Sequence, residues 1–262
     1  MAAGRGNVGG KKEQTKPVRT GKPTKKKRAM QTRGFYILLA AVAVIGGIAL
    51  YTVINQPKAP AVRDVDVSAS QAEGYLRGDP NAPVQVLEFA DFECPACGQF
   101  AVLTEPDVRH RLIESGQVSY RFFDFPLPAH KNTLAASMAA ACANDQGKFW
   151  EMHDALFFNQ PEWSTQVTSN PERKFLEYAK EIGLNTDVYK KCMDEQPHQV
   201  RIIANRKEGE RRGVAQTPSF VIGKKLIAGA IGYDEFRAWV DSAKAALPPT
   251  TPTAPAPATK KP

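Results

Sequence analysis

Two cysteines separated by two residues stand where a predicted strand meets a predicted helix. The strand is an apolar, β-branched run that begins at Val84, of the kind that is buried on both faces of a sheet. It leads directly into Cys94 and Cys97, and a helical pattern then continues to Leu103. A helix N-terminus stabilises a thiolate, and a second thiol in the next turn can attack a mixed disulfide and release it. The spacing therefore indicates thiol–disulfide exchange.

Two other interpretations of this motif remain open. A structural zinc site needs four ligands, usually as two close pairs, but the remaining cysteines, Cys142 and Cys192, form no second close pair. The other interpretation is a short structural disulfide without redox activity. The strand before the motif and the helix after it favour redox chemistry over both.

Two further positions carry chemical signals. Glu88 lies six residues before Cys94 on the strand predicted to be buried, and an ionised carboxylate is costly to bury unpaired. A functional acid and a structural hydrogen-bonding acid both remain possible roles for Glu88. Thr217-Pro218 comes just before an apolar run at residues 219–222. An X-Pro peptide bond at such a position can adopt the cis form at a small cost in free energy. An ordinary trans turn is the alternative.

Most of the positive charge lies in the first 33 residues. This segment holds eleven Lys or Arg and a single acid, Glu13, a net charge of +10, whereas the whole chain has +8 and the remainder therefore −2. The segment is rich in Gly, Lys and Thr and nearly free of aromatic side chains, a composition typical of disorder. We therefore predict a basic disordered cytoplasmic tail at residues 1–33 and no nucleic-acid binding.

An uncharged run of 20 residues, 35–54, follows the basic tail. As a helix it would be about 30 Å long, one hydrocarbon thickness. A cleaved signal peptide is the alternative, but the run exceeds a normal h-region and no clean cleavage site follows. We predict a transmembrane signal anchor with the basic side in the cytoplasm. Residues after about 55, including all four cysteines, then face a compartment in which disulfides persist.

The rest of the chain is predicted to form one folded domain at residues 75–247, preceded by a tether at 55–74 and followed by a Pro-rich disordered tail at 248–262. A strand at 118–125 follows the Cys-x-x-Cys helix. A helical block comes next, in which Val188, Tyr189 and Cys192 share one helix face. Strands at 219–222 and 225–228 follow, and a final helix has Asp234 as its N-cap. The order is typical of an α/β thioredoxin plan with a helical insertion.

The chain resembles the DsbA-like thiol–disulfide oxidoreductases, and most of all their membrane-tethered branch. The resemblance rests on Leu87-Glu88-Phe89 followed by Cys94-Pro95-Ala96-Cys97, on Gly78-Asp79-Pro80-Asn81-Ala82-Pro83, and on the loop at Thr217-Pro218. It extends from about Tyr75 to about Leu247. It implies a thioredoxin-like fold in which the helical insertion occupies about residues 130–212.

The resemblance also implies a role for each site residue. Cys94 is expected to be the exposed nucleophile and Cys97 the resolving thiol. Glu88 is expected to help move the proton of Cys97, and Thr217-Pro218 is expected to form a cis-proline loop beside the cysteines. Strong oxidants of the family carry His before the second cysteine, whereas this chain has Ala96. We therefore expect a milder oxidant.

Cys142 and Cys192 lie on apolar faces of two different predicted insertion helices. Two free buried thiols are one possibility. A bridge is favoured in an oxidising compartment, and the tethered relatives have a second disulfide at matching positions. We expect this bridge to be structural. His130 follows Phe125-Pro126-Leu127-Pro128, where relatives also carry His, and a packing role is as plausible as catalysis. No metal or nucleotide motif occurs, and we expect no cofactor.

The predicted function is that of a membrane-anchored, outward-facing oxidoreductase that introduces disulfides into exported proteins. Its expected partners are cysteine-containing exported proteins and a membrane-embedded DsbB-like or VKOR-like quinone-linked oxidase, with the chain itself a monomer. A tethered reductase of the cytochrome c maturation type would use the same cysteines in the opposite direction. A non-enzymatic envelope binding module is the alternative from another class.

Overall fold

The chain forms two compact units, Met1–Lys58 and Ala59–Pro262. The computed structural model describes only part of each unit: residues 38–48, 50, 51, 61–64 and 72–248. The predicted basic tail at 1–33 lies outside the described residues, as does all but the first residue of the predicted Pro-rich tail at 248–262.

In the first unit, residues 38–48, 50 and 51 are helical and are called α1. The large apolar side chains described on α1 are exposed, with Leu38 at 64% and Ile45 at 67%. Within the described ranges, no helix is both long and apolar enough to cross a membrane. The predicted anchor at 35–54 extends at both ends into residues outside those ranges, so it stays a prediction.

The second unit contains a six-stranded sheet and nine α-helices within its described residues. The strands are β1 Ala61–Asp64, β2 Tyr75–Arg77, β3 Val84–Ala90, β4 Val118–Asp124, β5 Ser219–Ile222 and β6 Lys225–Ala228. The helices are α2 Pro95–Leu103, α3 Glu105–Val108, α4 Thr133–Asn144, α5 Phe149–Phe158, α6 Gln160–Trp163, α7 Glu172–Glu181, α8 Thr186–Glu195, α9 Gln199–Arg211 and α10 Tyr233–Ala245. A π-helical turn, Arg109–Ile113, follows α3.

The sheet has the order β1-β6-β5-β3-β4-β2, with β3 inside it. β3 and β4 are parallel, since α2 and α3 connect them, and every other neighbouring pair is antiparallel. Val86, Phe89 and Ala90 of β3 are almost completely buried, as expected for a strand with neighbours on both sides. The end of β3 is therefore a rigid support for the residues that follow it.

The helices α4 to α9 lie between β4 and β5 and form the insertion. Its centre is α4, whose sequence TLAASMAAACAN is buried at nine of twelve positions. Small alanine side chains let α5, α7, α8 and α9 approach α4 closely. The predicted α/β class with a helical insertion is confirmed.

Three local predictions were wrong. Val188 of α8 is 50% exposed, because the buried face of that helix passes through Tyr189 and Cys192. The last helix begins at Tyr233 with Gly232 as its N-cap, and Asp234 lies in its first turn, where a negative charge is favourable. Part of the predicted tether is β1, which pairs with the edge of β6 and so satisfies backbone groups that would otherwise be unpaired.

Candidate active site

Cys94 occupies the N-cap of α2, and Pro95 follows in the first turn. The turn before it is closed by two hydrogen bonds. The N–H of Cys94 donates to the carbonyl oxygen of Asp91 (3.0 Å), and the N–H of Glu93 donates to Oδ1 of Asp91 (2.7 Å). Proline suits the first helical position because its fixed φ fits the helix and it has no N–H to leave unpaired. The thiol of Cys94 is thereby held at the N-terminus of α2.

The environment of Cys94 favours its thiolate and lowers its pKa to about 6. A hydrogen bond from Cys97 is the largest cause; burial opposes it, while Thr217 and the backbone N–H groups of Cys97 and Ala96 lower the pKa further. The Sγ atom of Cys94 also lies 3.5 Å from the carbonyl oxygen of Thr217. Cys94 is therefore a nucleophile and a good leaving group near neutral pH.

The expectation that Cys94 is exposed was wrong: it is only 8% exposed, and the Thr217 carbonyl lies against its sulfur. Cys97 is buried more deeply, and its pKa shifts in the opposite direction. It is fully buried, and burial raises its pKa well above the usual value, with the hydrogen bond and charge of Cys94 raising it further. Both cysteines are free thiols in this structure. Near neutral pH the pair therefore consists of one thiolate, at Cys94, and one thiol that keeps its proton, at Cys97.

Glu88 is a buried acid on β3, 1% exposed. The hydroxyl group of Tyr120 on β4 donates a hydrogen bond to its Oε2 (2.6 Å). Burial raises the pKa of Glu88 to about 8, and the negative charge of the buried Glu105 adds to this effect, whereas the Tyr120 hydrogen bond opposes it. A charge on Glu88 would in turn raise the pKa of Cys97. Glu88 is thus coupled electrostatically to the buried thiol.

Thr217-Pro218 forms a cis peptide bond directly before β5. β5 pairs with β3, the strand that ends at the Cys-x-x-Cys turn. This pairing places the Thr217 carbonyl beside Cys94. The structure therefore brings Cys94, Cys97 and the Thr217-Pro218 loop together.

The other two cysteines lie elsewhere. Cys142 of α4 and Cys192 of α8 form a disulfide with an S–S distance of 2.03 Å, which is the pairing that the family resemblance implied. Both residues are buried in the insertion. The bridge fastens two insertion helices to each other.

Sequence reasoning missed Asp91, which is 1% exposed. Its Oδ2 accepts hydrogen bonds from the N–H of Leu127 (2.8 Å) and from Nδ1 of His130 (2.8 Å), and its Oδ1 accepts one from the hydroxyl of Thr133 (2.6 Å). Burial, the largest single effect, lowers the pKa of His130. The hydrogen bond with Asp91 and the negative charges of Asp91, Cys94 and Glu93 together outweigh it, so the net shift of the pKa is upward. His130 thus pairs with a carboxylate at the active-site turn.

Glu93, the residue before Cys94, was missed as well. It is 2% exposed, and its carboxylate accepts hydrogen bonds from the backbone N–H groups of Asn132 (2.8 Å) and Thr165. Both donors belong to the insertion. The signal for Asp91 and Glu93 was present in the sequence, since each is an acid next to an apolar strand where an unpaired charge is unfavourable.

This fold and this site define a thioredoxin-fold protein equipped for thiol–disulfide exchange. A family model described as thioredoxin matches residues 70–242. Probable disulfide bond formation protein D of Bacillus cereus is 28% identical over 208 residues, which cover 77% of this chain and 91% of that protein. The crystal structure of Wolbachia pipientis α-DsbA1 matches with a TM-score of 0.60 and 23% identity, covering 66% of this chain and 92% of that one.

A Na⁺/H⁺ antiporter NhaA 1 of Salinispora arenicola is 33% identical over 181 residues. The match covers 69% of this chain and 26% of the antiporter, so the chain spans about a quarter of that relative's length. The family model covers well over half of the chain and shows that the chain belongs to the thioredoxin family. The chain is similar in sequence to a probable disulfide bond formation protein, and it shares the fold of the DsbA structures.

Proposed function

We propose that this protein is a membrane-anchored oxidase that introduces disulfides into exported proteins. The observation that carries the proposal is the contrast at its dithiol: a pKa of about 6 at Cys94 beside a raised pKa at the buried Cys97. A thiolate that is stabilised in the reduced form makes the corresponding disulfide a stronger oxidant. The name of the Bacillus cereus relative, a disulfide bond formation protein, supports the same direction.

The reaction takes two exchange steps. A substrate thiolate attacks Sγ of Cys94 in the Cys94–Cys97 disulfide, the bond between the cysteines breaks, and Cys97 leaves as a thiolate that takes up a proton. A second substrate thiolate then attacks the substrate sulfur of the mixed disulfide, and Cys94 leaves as a thiolate. The substrate loses two electrons and the protein gains them. Glu88 is the proposed proton donor and acceptor for Cys97.

A reduced oxidase must be reoxidised. The proposed reoxidant is a membrane-embedded, quinone-linked protein of the DsbB-like or VKOR-like kind, which would accept the two electrons from the reduced dithiol. The backbone of Thr217 lies beside Cys94. We propose that it forms hydrogen bonds with the backbone of extended substrates and of this partner. The proposed state of the chain is a monomer.

The proposed location is the outer side of a bacterial cell membrane. The uncharged run at 35–54 and the basic segment before it support an anchor whose N-terminus stays in the cytoplasm. The exposed apolar side chains of α1 support it too, because a lipid environment would cover them.

The direction of the reaction is tested by titrating the full-length protein against glutathione. An oxidase should have a reduction potential clearly above that of thioredoxin, about −270 mV. A potential at or below that value would instead favour the tethered reductase. Wild-type function in cells that carry Cys94→Ser would favour the non-enzymatic binding module.

The roles of the two cysteines are tested by trapping. Cys97→Ser keeps the nucleophile but cannot release a bound thiol through residue 97, so it should accumulate mixed disulfides with exported proteins. Cys94→Ser should accumulate none. Non-reducing gels followed by mass spectrometry measure both, and equal trapping by the two variants would contradict the assignment.

A further inference from the structure

Gln160, the first residue of α6, reaches from the insertion to the main chain of the active-site turn. Its Nε2 donates hydrogen bonds to the carbonyl oxygens of Phe92 (2.8 Å) and Cys94 (3.0 Å). Both amide hydrogens are therefore used on two carbonyls that flank Glu93. Hydrogen bonds from the insertion also reach the side chains of Asp91 and Glu93 in this turn, and the ring of Phe157 packs on Phe92. Gln160 differs from them because it holds the backbone of the nucleophile itself.

Gly98 of α2 provides the space for this contact. A Cβ atom added to Gly98 would lie 3.0 Å from Oε1 of Gln160 and 3.3 Å from its Cδ and Nε2. Gly98 lies within α2, where an alanine would be more favourable for the helix. The absence of a side chain is therefore explained by the close approach of Gln160.

The carbonyl of Cys94 links this contact to the thiol. It accepts a hydrogen bond from the N–H of Gly98 (3.0 Å) in the first turn of α2, in addition to the one from Gln160. The thiolate depends on the backbone N–H groups of Ala96 and Cys97 in the same turn. Hydrogen bonds weaken steeply as their distance and angle depart from the optimum. A shift of the Cys94 backbone would therefore weaken the bonds to its Sγ atom.

We propose that Gln160 is a positioning residue that keeps Cys94 aligned with the N-terminus of α2 and so maintains its reactive thiolate. The inference rests on the proposed function in taking Cys94 as the nucleophile. Gln160 does not touch the sulfur, and its effect passes through the carbonyls of Phe92 and Cys94. The insertion thereby sets the reactivity of a thiol that lies outside it.

The test replaces Gln160 by leucine in the reduced full-length protein. Gln160→Leu removes both donors at a similar side-chain volume. The matched control is Gln146→Leu, since Gln146 is also half-buried and also binds the backbone twice, donating to the carbonyl of Asn185 (3.3 Å) and accepting from its N–H (2.8 Å). Thiolate absorbance against pH measures the pKa of Cys94, and thermal unfolding measures the loss of stability.

We expect Gln160→Leu to raise the pKa of Cys94 by about half a unit or more and to slow alkylation at pH 5.5 by about 2.5-fold, since thiolate is the reactive form. Gln146→Leu should lower the unfolding temperature similarly and leave the pKa unchanged. An unchanged pKa in Gln160→Leu would overturn the inference, as would equal pKa shifts in both variants. A wild-type Cys94 with an ordinary thiol pKa would instead overturn the proposed function.

Gly98→Ala keeps the test decisive if Gln160→Leu does not fold. The added methyl group would press on the side-chain amide of Gln160. It should therefore also raise the pKa of Cys94, by less than Gln160→Leu does. A stable Gly98→Ala variant with the wild-type pKa would overturn the inference.

Discussion

Among the single residues of the site, Ala96 is informative for what its side chain lacks. Its backbone N–H helps to stabilise the Cys94 thiolate, but a methyl group offers neither a hydrogen bond nor a charge. The low pKa of Cys94 therefore comes from Cys97, Thr217 and the helix N-terminus. A side chain at position 96 that stabilised the Cys94 thiolate further would make the disulfide a stronger oxidant.

We predict that Ala96→His lowers the pKa of Cys94 and raises the reduction potential. An imidazole at position 96, two residues from Cys94, would supply a donor or a positive charge to the thiolate. A pKa change of one unit corresponds to about 1.4 kcal/mol, and hence to a rise in potential of up to about 30 mV. Thiolate absorbance and a glutathione titration measure the two quantities. An unchanged or lower reduction potential would show that Pro95-Ala96, the dipeptide between the cysteines, does not set this potential.

The pKa of Glu88 predicts a specific pH dependence of stability. Burial holds this pKa at about 8, against 4.5 for a Glu side chain in water. As pH rises from about 4.5 to 8, the unfolded chain loses the proton while the folded protein keeps it, so this residue lowers the free energy of unfolding over that window. Glu88→Gln has no proton to lose and keeps an oxygen for the hydroxyl of Tyr120. The variant should therefore gain stability over the wild type at pH 8, by at least about 1.4 kcal/mol, and little at pH 5.

Denaturant titrations of the reduced protein at both pH values measure this difference. Glu181→Gln is the control, because Glu181 is an exposed acid at the end of α7, and it should leave the pH dependence unchanged. Slower formation of mixed disulfides from the Cys94–Cys97 disulfide is expected in Glu88→Gln as well, since the leaving Cys97 thiolate loses its proton donor. A gain of equal size at pH 5 and pH 8 would contradict the assignment.

Among the elements, the insertion and the segment that leads into it hold the active-site turn through hydrogen bonds. Asp91 and Glu93 at the end of β3 accept hydrogen bonds from backbone N–H groups in the segment between β4 and α4, and Gln160 of α6 donates back to the turn. The Cys142–Cys192 disulfide lies inside the insertion, between α4 and α8. It is separate from these contacts, so its contribution to stability and the chemistry of the site can be measured independently.

We predict that the double variant Cys142→Ala/Cys192→Ala is less stable and keeps the wild-type pKa of Cys94. The bridge closes a loop with a sequence separation of 50, for which the chain-entropy model gives an upper value of about 4 kcal/mol. Denaturation of both oxidised proteins measures the loss.

In the wild type, mild reductant should open Cys94–Cys97 first, and differential alkylation would show the order. A shifted Cys94 pKa in the double variant would mean that the bridge also shapes the active site.

For the whole molecule, the division of the chain into two compact units predicts that the uncharged run at 35–54 anchors the protein independently of the catalytic unit. Deleting residues 1–54 should move the protein from the membrane fraction to the soluble fraction and leave the pKa of Cys94 at about 6. Deleting residues 1–33 alone should leave the protein in the membrane fraction, because the uncharged run is still present. Fractionation with an alkaline wash measures both. A full-length protein that is already soluble would contradict the anchor.

Much of the fold could be predicted from the sequence, because its signals are local. The β-branched run at β3 and the apolar stripes of the helices each depend on residues within a few positions. The same holds for the reactive pair, since the helix after Cys94 follows from the adjacent sequence. Val188 shows the limit, because a shift of one position along α8 moves a side chain from the buried face to solvent.

Only the tertiary structure decided which groups surround the thiols. Asp91 binds the N–H of Leu127 36 positions away, Glu93 binds that of Thr165 72 positions away, and Gln160 binds the carbonyl of Phe92 across 68 positions. The sequence by itself determined that a Cys-x-x-Cys would begin a helix next to a buried acid. It did not determine the partners of the acids or of the Cys94 backbone. Hydrogen bonds act over about 3 Å, and the path of the whole chain decides which distant groups come that close.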